Sequence, residues 1–66
     1  MTDVDAREVR RTLKMTQESF AERFGFPIST LRQWEQGRKR PDSAARVLLR
    51  VIALAPDVVD QAIGPR

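Results

Sequence analysis

Apolar positions recur at helical spacing along almost the whole chain, and no stretch alternates apolar with polar long enough to make a strand. Ala6, Val9 and Leu13 form the first stripe and predict a helix over about 5–13, with Arg10 at the stripe's edge. Asp5 and Glu8 fall in its first turn, where carboxylates suit the helix dipole. Thr16 is the expected N-cap of a second helix over 17–24, which turns Phe20, Ala21 and Phe24 inward. Ser19 stands where a reciprocal capping box would want Glu or Gln. Gly25 closes that helix by permitting a left-handed backbone, and Phe26 is placed to fold back as the apolar contact of a Schellman ending.

Pro27 opens a third helix over 28–36, which Gly37 ends. Pro41 and Asp42 stop the following loop and cap a fourth helix over 43–54. Its inward stripe is expected to be Ala44, Ala45, Leu48, Val51, Ile52 and Ala55. Val47, Leu49 and Leu54 lie off that stripe, so this helix is apolar over more than one side. Pro56 starts a short fifth helix over 57–63, with Asp57 and Asp60 near its positive end and Gly64 and Pro65 closing it. Val59, Ala62 and Ile63 form one apolar edge there, with Val58 beside it. The expected fold is all-α, a compact five-helix single domain over 1–66 without repeat or low-complexity segment.

The third helix has two chemically different sides. Leu31, Trp34 and Glu35 share one; Ser29, Arg32, Gln33 and Gln36, spaced i, i+3, i+4, i+7, share the other. The second set consists of hydrogen-bonding side chains able to read base edges, Arg suiting guanine and Gln suiting adenine. Ala21 on the inner side of the second helix leaves room for the third, and Gly25 supplies the bend. An ordinary helical hairpin would explain both small residues. It would not explain a polar outward face followed at once by Arg38, Lys39 and Arg40. Trp34, opposite the polar face, reads as core rather than as a stacking platform. Together these residues look like a helix-turn-helix DNA-binding domain.

Composition narrows the function further. A chain of 66 residues buries only about 60% of its unfolded surface, so its core is marginal unless something else contributes. Cysteine and histidine are both absent. No disulfide or thiolate–imidazole metal site is therefore expected, and no His-based acid–base pair or Ser–His or Cys–His nucleophile can be assembled. Catalysis, metal and cofactor are all expected to be absent. The net charge of +3 is modest, but Arg23, Arg32, Arg38, Lys39, Arg40, Arg46 and Arg50 face only Glu35 and Asp42 between them. A basic zone centred on one helix and its exit loop is the footprint of phosphate contact. No apolar run suits a membrane span or signal peptide, and a cytoplasmic, nucleoid-associated location is expected.

From about residue 5 to residue 52 the chain resembles the Cro/C1-type (XRE-like) helix-turn-helix family. Gln17 opening the second helix, Ala21 four residues on and Gly25 at the turn meet that family's pattern, and the tract LRQWEQGRKRP at 31–41 resembles its recognition-helix exit. The resemblance implies a lambda-repressor-like fold. Within the family, FAERFGFPISTLRQWEQGRKRPDSAARVLLRVIA is most similar to HigA-type antitoxin repressors. By position, Ser29 and Gln33 fall where family members touch base edges, and Arg32 beside them is the strongest candidate for guanine. Ile28 also falls on a base-contact position; being apolar, it either meets a thymine methyl or covers the edge of the core. Gln17 resembles the family's phosphate-contacting glutamine, and Thr30 either reaches phosphate or caps the helix. Gln36, Arg38, Lys39 and Arg40 are expected to hold the DNA backbone where the helix leaves the groove.

Glu35 sits on the apolar side of its helix, where a half-buried carboxylate needs a partner. Arg10 is the expected one, since the family commonly pairs these positions. The functional expectation is a repressor binding double-stranded operator DNA as a homodimer on an inverted repeat, with Val47, Leu54, Val58 and Ile63 as the dimer surface. The HigA-type resemblance implies autoregulation of a toxin–antitoxin operon and a RelE/ParE-like toxin partner. Such antitoxins carry a further toxin-wrapping segment, and little chain flanks the five helices here. The alternatives left open are the DNA-binding portion of a longer antitoxin, a stand-alone or phage-type repressor, and a toxin-binding module with little DNA role.

Overall fold

Three of the five helices start at a side-chain cap, and those caps set where the chain turns. Asp5, Thr16 and Asp42 are extended in backbone and accept hydrogen bonds from the N–H groups of Arg7 at 2.9 Å, Ser19 at 3.0 Å and Ala45 at 2.8 Å. Each such cap contributes about 1 kcal/mol by satisfying an orphan helix donor. The computed structural model describes residues 5–64. Its elements are α1 (Ala6–Thr12), α2 (Gln17–Phe24), α3 (Ile28–Glu35), α4 (Ser43–Leu54) and α5 (Pro56–Ile63). Asp5 thus caps α1 from outside, Leu13 and Gln36 follow their helices, and Pro56 belongs to α5. The expected Gly64–Pro65 stop can be followed only to Gly64; Pro65 lies outside the described residues.

The turn between α2 and α3 is built as its residues require. Gly25 has φ +79°, a left-handed conformation that costs other residues strain. The Phe26 N–H then returns to the Ala21 carbonyl at 2.9 Å, the six-to-one bond of a Schellman ending. Phe26 stacks on Phe20 at 6.0 Å between ring centroids and meets Trp34 edge-on at 5.1 Å. One aromatic row therefore ties the end of α2 to α3. Between α1 and α2 the chain reverses at Lys14, whose φ of +57° is left-handed without being glycine.

The core collects Ala6 and Val9 from α1, Phe20, Ala21 and Phe24 from α2, Leu31 from α3, Leu49 and Ile52 from α4, and Val59 from α5. The face of α4 differs from the one expected. Leu49 is fully buried and Ala44 is exposed, with Ala45, Leu48 and Val51 partly buried to either side. Packing on both α1 and α5 buries the face toward their junction. Hydropathy could not choose between neighbouring Leu48 and Leu49. On α5, Val59 alone is buried, and Ala62 and Ile63 are exposed. Arg23 clasps α5 to α2: its Nη2 donates to Asp60 Oδ2 at 2.7 Å and its Nε to Asp60 Oδ1 at 3.0 Å. The same guanidinium lies 4.9 Å from the centroid of the Phe24 ring.

Candidate nucleic-acid interface

The polarity of α3 is fixed by what its inner side buries. Leu31 is fully buried, Glu35 is buried, and Ile28 and Trp34 pack partly against the core. The opposite side then faces outward: Ser29, Arg32 and Gln36 are exposed, while Thr30 and Gln33 are half-buried. Beyond the helix, Gly37 takes φ +75°, and the N–H groups of Arg38 and Lys39 return to the Gln33 carbonyl at 2.9 and 3.4 Å. That reversal keeps Arg38, Lys39 and Arg40, all exposed, beside the end of the outward stripe. The chain thus passes from the outward stripe into an exposed basic loop, whose Lys39 and Arg40 line a cleft with Asp5 and Trp34.

Glu35 is the polar anchor beneath that surface. Its side chain is only 1% exposed, and Arg10 meets it as a fork: Nε donates to Oε2 and Nη2 to Oε1, both at 2.8 Å. Arg10 Nη1 donates to the Met15 carbonyl at 3.0 Å. Arg7 adds its Nη2 to the Glu35 backbone carbonyl at 3.1 Å and lies 3.5 Å from Oε1 through Nε. Gln17 Nε2 donates to Oε1 at 3.3 Å. Burial pushes the Glu35 carboxyl upward, but the hydrogen bonds from Arg10 and Gln17 and the charge of Arg10 outweigh it and hold it below the ordinary glutamate value. Bonding to Glu35 likewise raises the Arg10 guanidinium, as bonding to Asp60 raises that of Arg23.

Several placements refine the expectations. Ile28 packs against the core, so its first role is to cover the core edge. Gln17 is half-buried, with its amide nitrogen turned toward Glu35. Arg23, counted in the basic zone, is taken up by Asp60 of α5. The share of Arg7 in the Glu35 network was missed; its position one helical turn before Arg10 was the available signal. Val47, Leu54, Val58 and Ile63 are 62%, 85%, 54% and 43% exposed, and α5 leaves them uncovered. A cleft of about 320 Å³ beside the exit loop is lined by Asp5, Trp34, Lys39, Arg40, Pro41 and Arg46 among others. Among the described residues no helix is long and apolar enough to cross a membrane.

Comparison with known proteins matches residues 7–45, well over half the chain, to the helix-turn-helix family. An HTH XRE-family-like protein from Agrobacterium tumefaciens, solved by crystallography, is 47% identical over 86% of this chain and 92% of that one, with a TM-score of 0.83. This chain belongs to the XRE helix-turn-helix family. Curated proteins give no match. As an XRE domain it is a DNA-binding transcription regulator and not an enzyme. In the XRE domain the motif itself is α2, the Gly25 turn and α3, and the Glu35 network holds α1 and the start of α2 against α3.

Proposed function

We propose that this XRE domain is a transcriptional repressor that binds an inverted-repeat operator as a homodimer and autoregulates a toxin–antitoxin operon as the DNA-binding part of the antitoxin. In this reading α3 enters the major groove and α2 crosses the backbone. Ser29, Arg32 and Gln33 read base edges, with Ile28 at their margin. Thr30, Gln36, Arg38, Lys39, Arg40 and the start of α2 at Gln17 meet phosphates. The observation that carries the reading is the exposed stripe of Ser29, Arg32 and Gln36 running directly into an exposed triple-basic loop.

The homodimer rests on the exposed apolar side chains of α4 and α5. Val47 and Leu54, seven residues apart, share one face of α4, and Val58 follows just past the Pro56 corner. A surface of that kind on so small a domain suits a second copy. The antitoxin assignment rests on the likeness of the 20–53 tract to HigA-type repressors, and a RelE/ParE-like toxin is the partner it implies.

The test is a mobility-shift titration on the protein's own promoter duplex at two salt concentrations. Log affinity should fall with log salt by about 0.9 per phosphate neutralised. Arg38→Ala should weaken all duplexes alike and lower that slope by about 1. Arg32→Ala should cost about 1–3 kcal/mol at one base pair. An absent or salt-insensitive shift would overturn the DNA reading in favour of a toxin-binding module. Failure to co-purify with the product of the adjacent gene would remove the antitoxin assignment and leave a stand-alone repressor.

A further inference from the structure

The loop after α3 forms one wall of a cleft whose chemistry the DNA reading does not use. Gly37 reverses the backbone there at φ +75°, Pro41 ends the loop, and Asp5 and Ala6 add the start of α1 to the lining. The cleft measures about 320 Å³, within the range of small-molecule sites, about 300–1,000 Å³. Two kinds of group meet in it. Trp34 supplies a half-buried indole, met edge-on by Phe26 at 5.1 Å. Lys39, Arg40 and Arg46 supply cations from the loop and the start of α4. Of the two acids in the lining, Glu35 is answered by the Arg10 fork at 2.8 Å, and Asp5 caps α1 at the Arg7 N–H. The balance left is positive, and Lys39 has no ion pair among the described residues.

We propose that this cleft binds a small aromatic carboxylate, and that its occupant draws Lys39 and Arg40 away from DNA phosphates. An indole suits the face or edge of another aromatic ring, and guanidinium groups suit the paired oxygens of a carboxylate. A carboxylate without the ring would leave the indole in water. A neutral ring would leave the cations unanswered. Trp34 lies on the side of α3 opposite Ser29 and Arg32, so ligand and base edges occupy different faces. What ligand and DNA share is Lys39 and Arg40. The regulatory half of the inference rests on the backbone grip proposed for those two residues; occupancy of the cleft does not. By linkage, bound duplex should weaken the ligand by the same factor as the ligand weakens the duplex.

The probes are benzoate, benzyl alcohol and acetate, titrated into the ¹⁵N-labelled protein. The single tryptophan gives one indole N–H resonance in NMR spectra, a direct report from the cleft. Benzoate should move it saturably and bind about tenfold more tightly than either other probe, the worth of a charge-assisted hydrogen bond. Lys39→Gln and Arg46→Gln should each weaken benzoate about 2- to 5-fold, as for partly exposed ion pairs. Asp5→Asn keeps a capping side chain but removes a like charge, and should tighten benzoate about twofold. In mobility shifts, benzoate should weaken the promoter duplex more than acetate does at equal ionic strength. Benzoate and acetate moving the loop amides alike, with the indole resonance unmoved, would reduce the loop to a general anion contact and overturn the proposal. Equal binding of benzoate and benzyl alcohol would overturn it too. A saturable indole shift with duplex affinity lowered no further than by acetate would overturn the regulatory half. If no duplex binds even without benzoate, the operator reading fails and the regulatory role with it, while the NMR titrations still decide the cleft.

Discussion

Removing the Glu35 side chain, as Glu35→Ala, is expected to destabilise the domain by about 3 kcal/mol. The carboxylate is 1% exposed and receives the Arg10 fork at 2.8 Å on both arms. Its loss leaves a guanidinium, itself 17% exposed, facing a buried space without its counter-charge. Breaking one partner of a buried pair costs about 3–5 kcal/mol. Arg10 keeps the Met15 carbonyl at 3.0 Å and some access to water, which places the expected loss at the lower end. A domain of 66 residues has a total stability of roughly 3–10 kcal/mol, so this is a third or more of it. The melting midpoint should fall by about 12–24 °C, at about 4–8 °C per kcal/mol for a domain this size. Far-UV circular dichroism follows the helices, and the single tryptophan, Trp34, gives an independent probe next to the site. The decisive measurement is the cycle of Arg10→Met, Glu35→Leu and both together. Apolar replacement of the whole pair should recover much of the single-variant loss. Effects that simply add, with coupling below about 0.5 kcal/mol, would refute the pair as the bond between α1 and α3.

Acid should act on the same carboxylate. Because folding lowers the Glu35 value, its stabilisation is complete above the unfolded glutamate value of about 4.3 and is lost as pH falls through the lower folded value. Urea midpoints measured against pH should therefore drop below about pH 4.3, and Glu35→Gln should flatten that part of the profile; superimposable profiles would exclude this group. The raised values of Arg10 and Arg23 affect stability only at alkaline extremes, since their contribution is present below the unfolded value and lost above the folded one. Asp60→Asn should loosen the grip of α2 on α5 by about 1 kcal/mol or less, as Arg23 and Asp60 are 33% and 40% exposed. Amide exchange should quicken in α5 before α2, and equal protection in both would count against the clasp. Leu54→Lys, at an 85% exposed site, should change folding stability by under about 0.5 kcal/mol yet weaken self-association about tenfold or more in sedimentation equilibrium. An unaltered association constant would place the dimer surface elsewhere.

Local chemistry made most of the fold legible. Thr16, Asp42, Gly25 and Pro41 act at the helix ends through their own side chains or φ preferences, so a single sequence suffices to place them. The two-sided character of α3 was equally plain, because Leu31 and Ser29 differ in kind. Which of two adjacent leucines α4 buries was not legible. Leu48 and Leu49 have the same hydropathy, and only packing against α1 and α5 separates them. The site divides in the same way. Arg10 and Glu35 could be matched because a carboxylate on an apolar face demands a counter-charge. The contact of Arg23 with Asp60 spans 37 residues between two exposed-looking polar positions, and nothing local connects them. The inward turn of the Gln17 amide also depends on where Glu35 comes to rest after α1 and α3 have packed.

The anchoring of α3 divides the helix into a chassis and an address label. Ile28, Leu31, Trp34 and Glu35 fasten it to the body, whereas Ser29, Gln33 and Gln36 have no side-chain hydrogen bond among the described residues. On the proposed reading, exchanging Ser29 and Gln33 should change which DNA sequence is preferred with little disturbance to folding, whereas Gln36 belongs to the backbone grip. Arg32 differs from them in touching the body of the domain, its Nε lying 3.5 Å from Gln17 Oε1 at the head of α2.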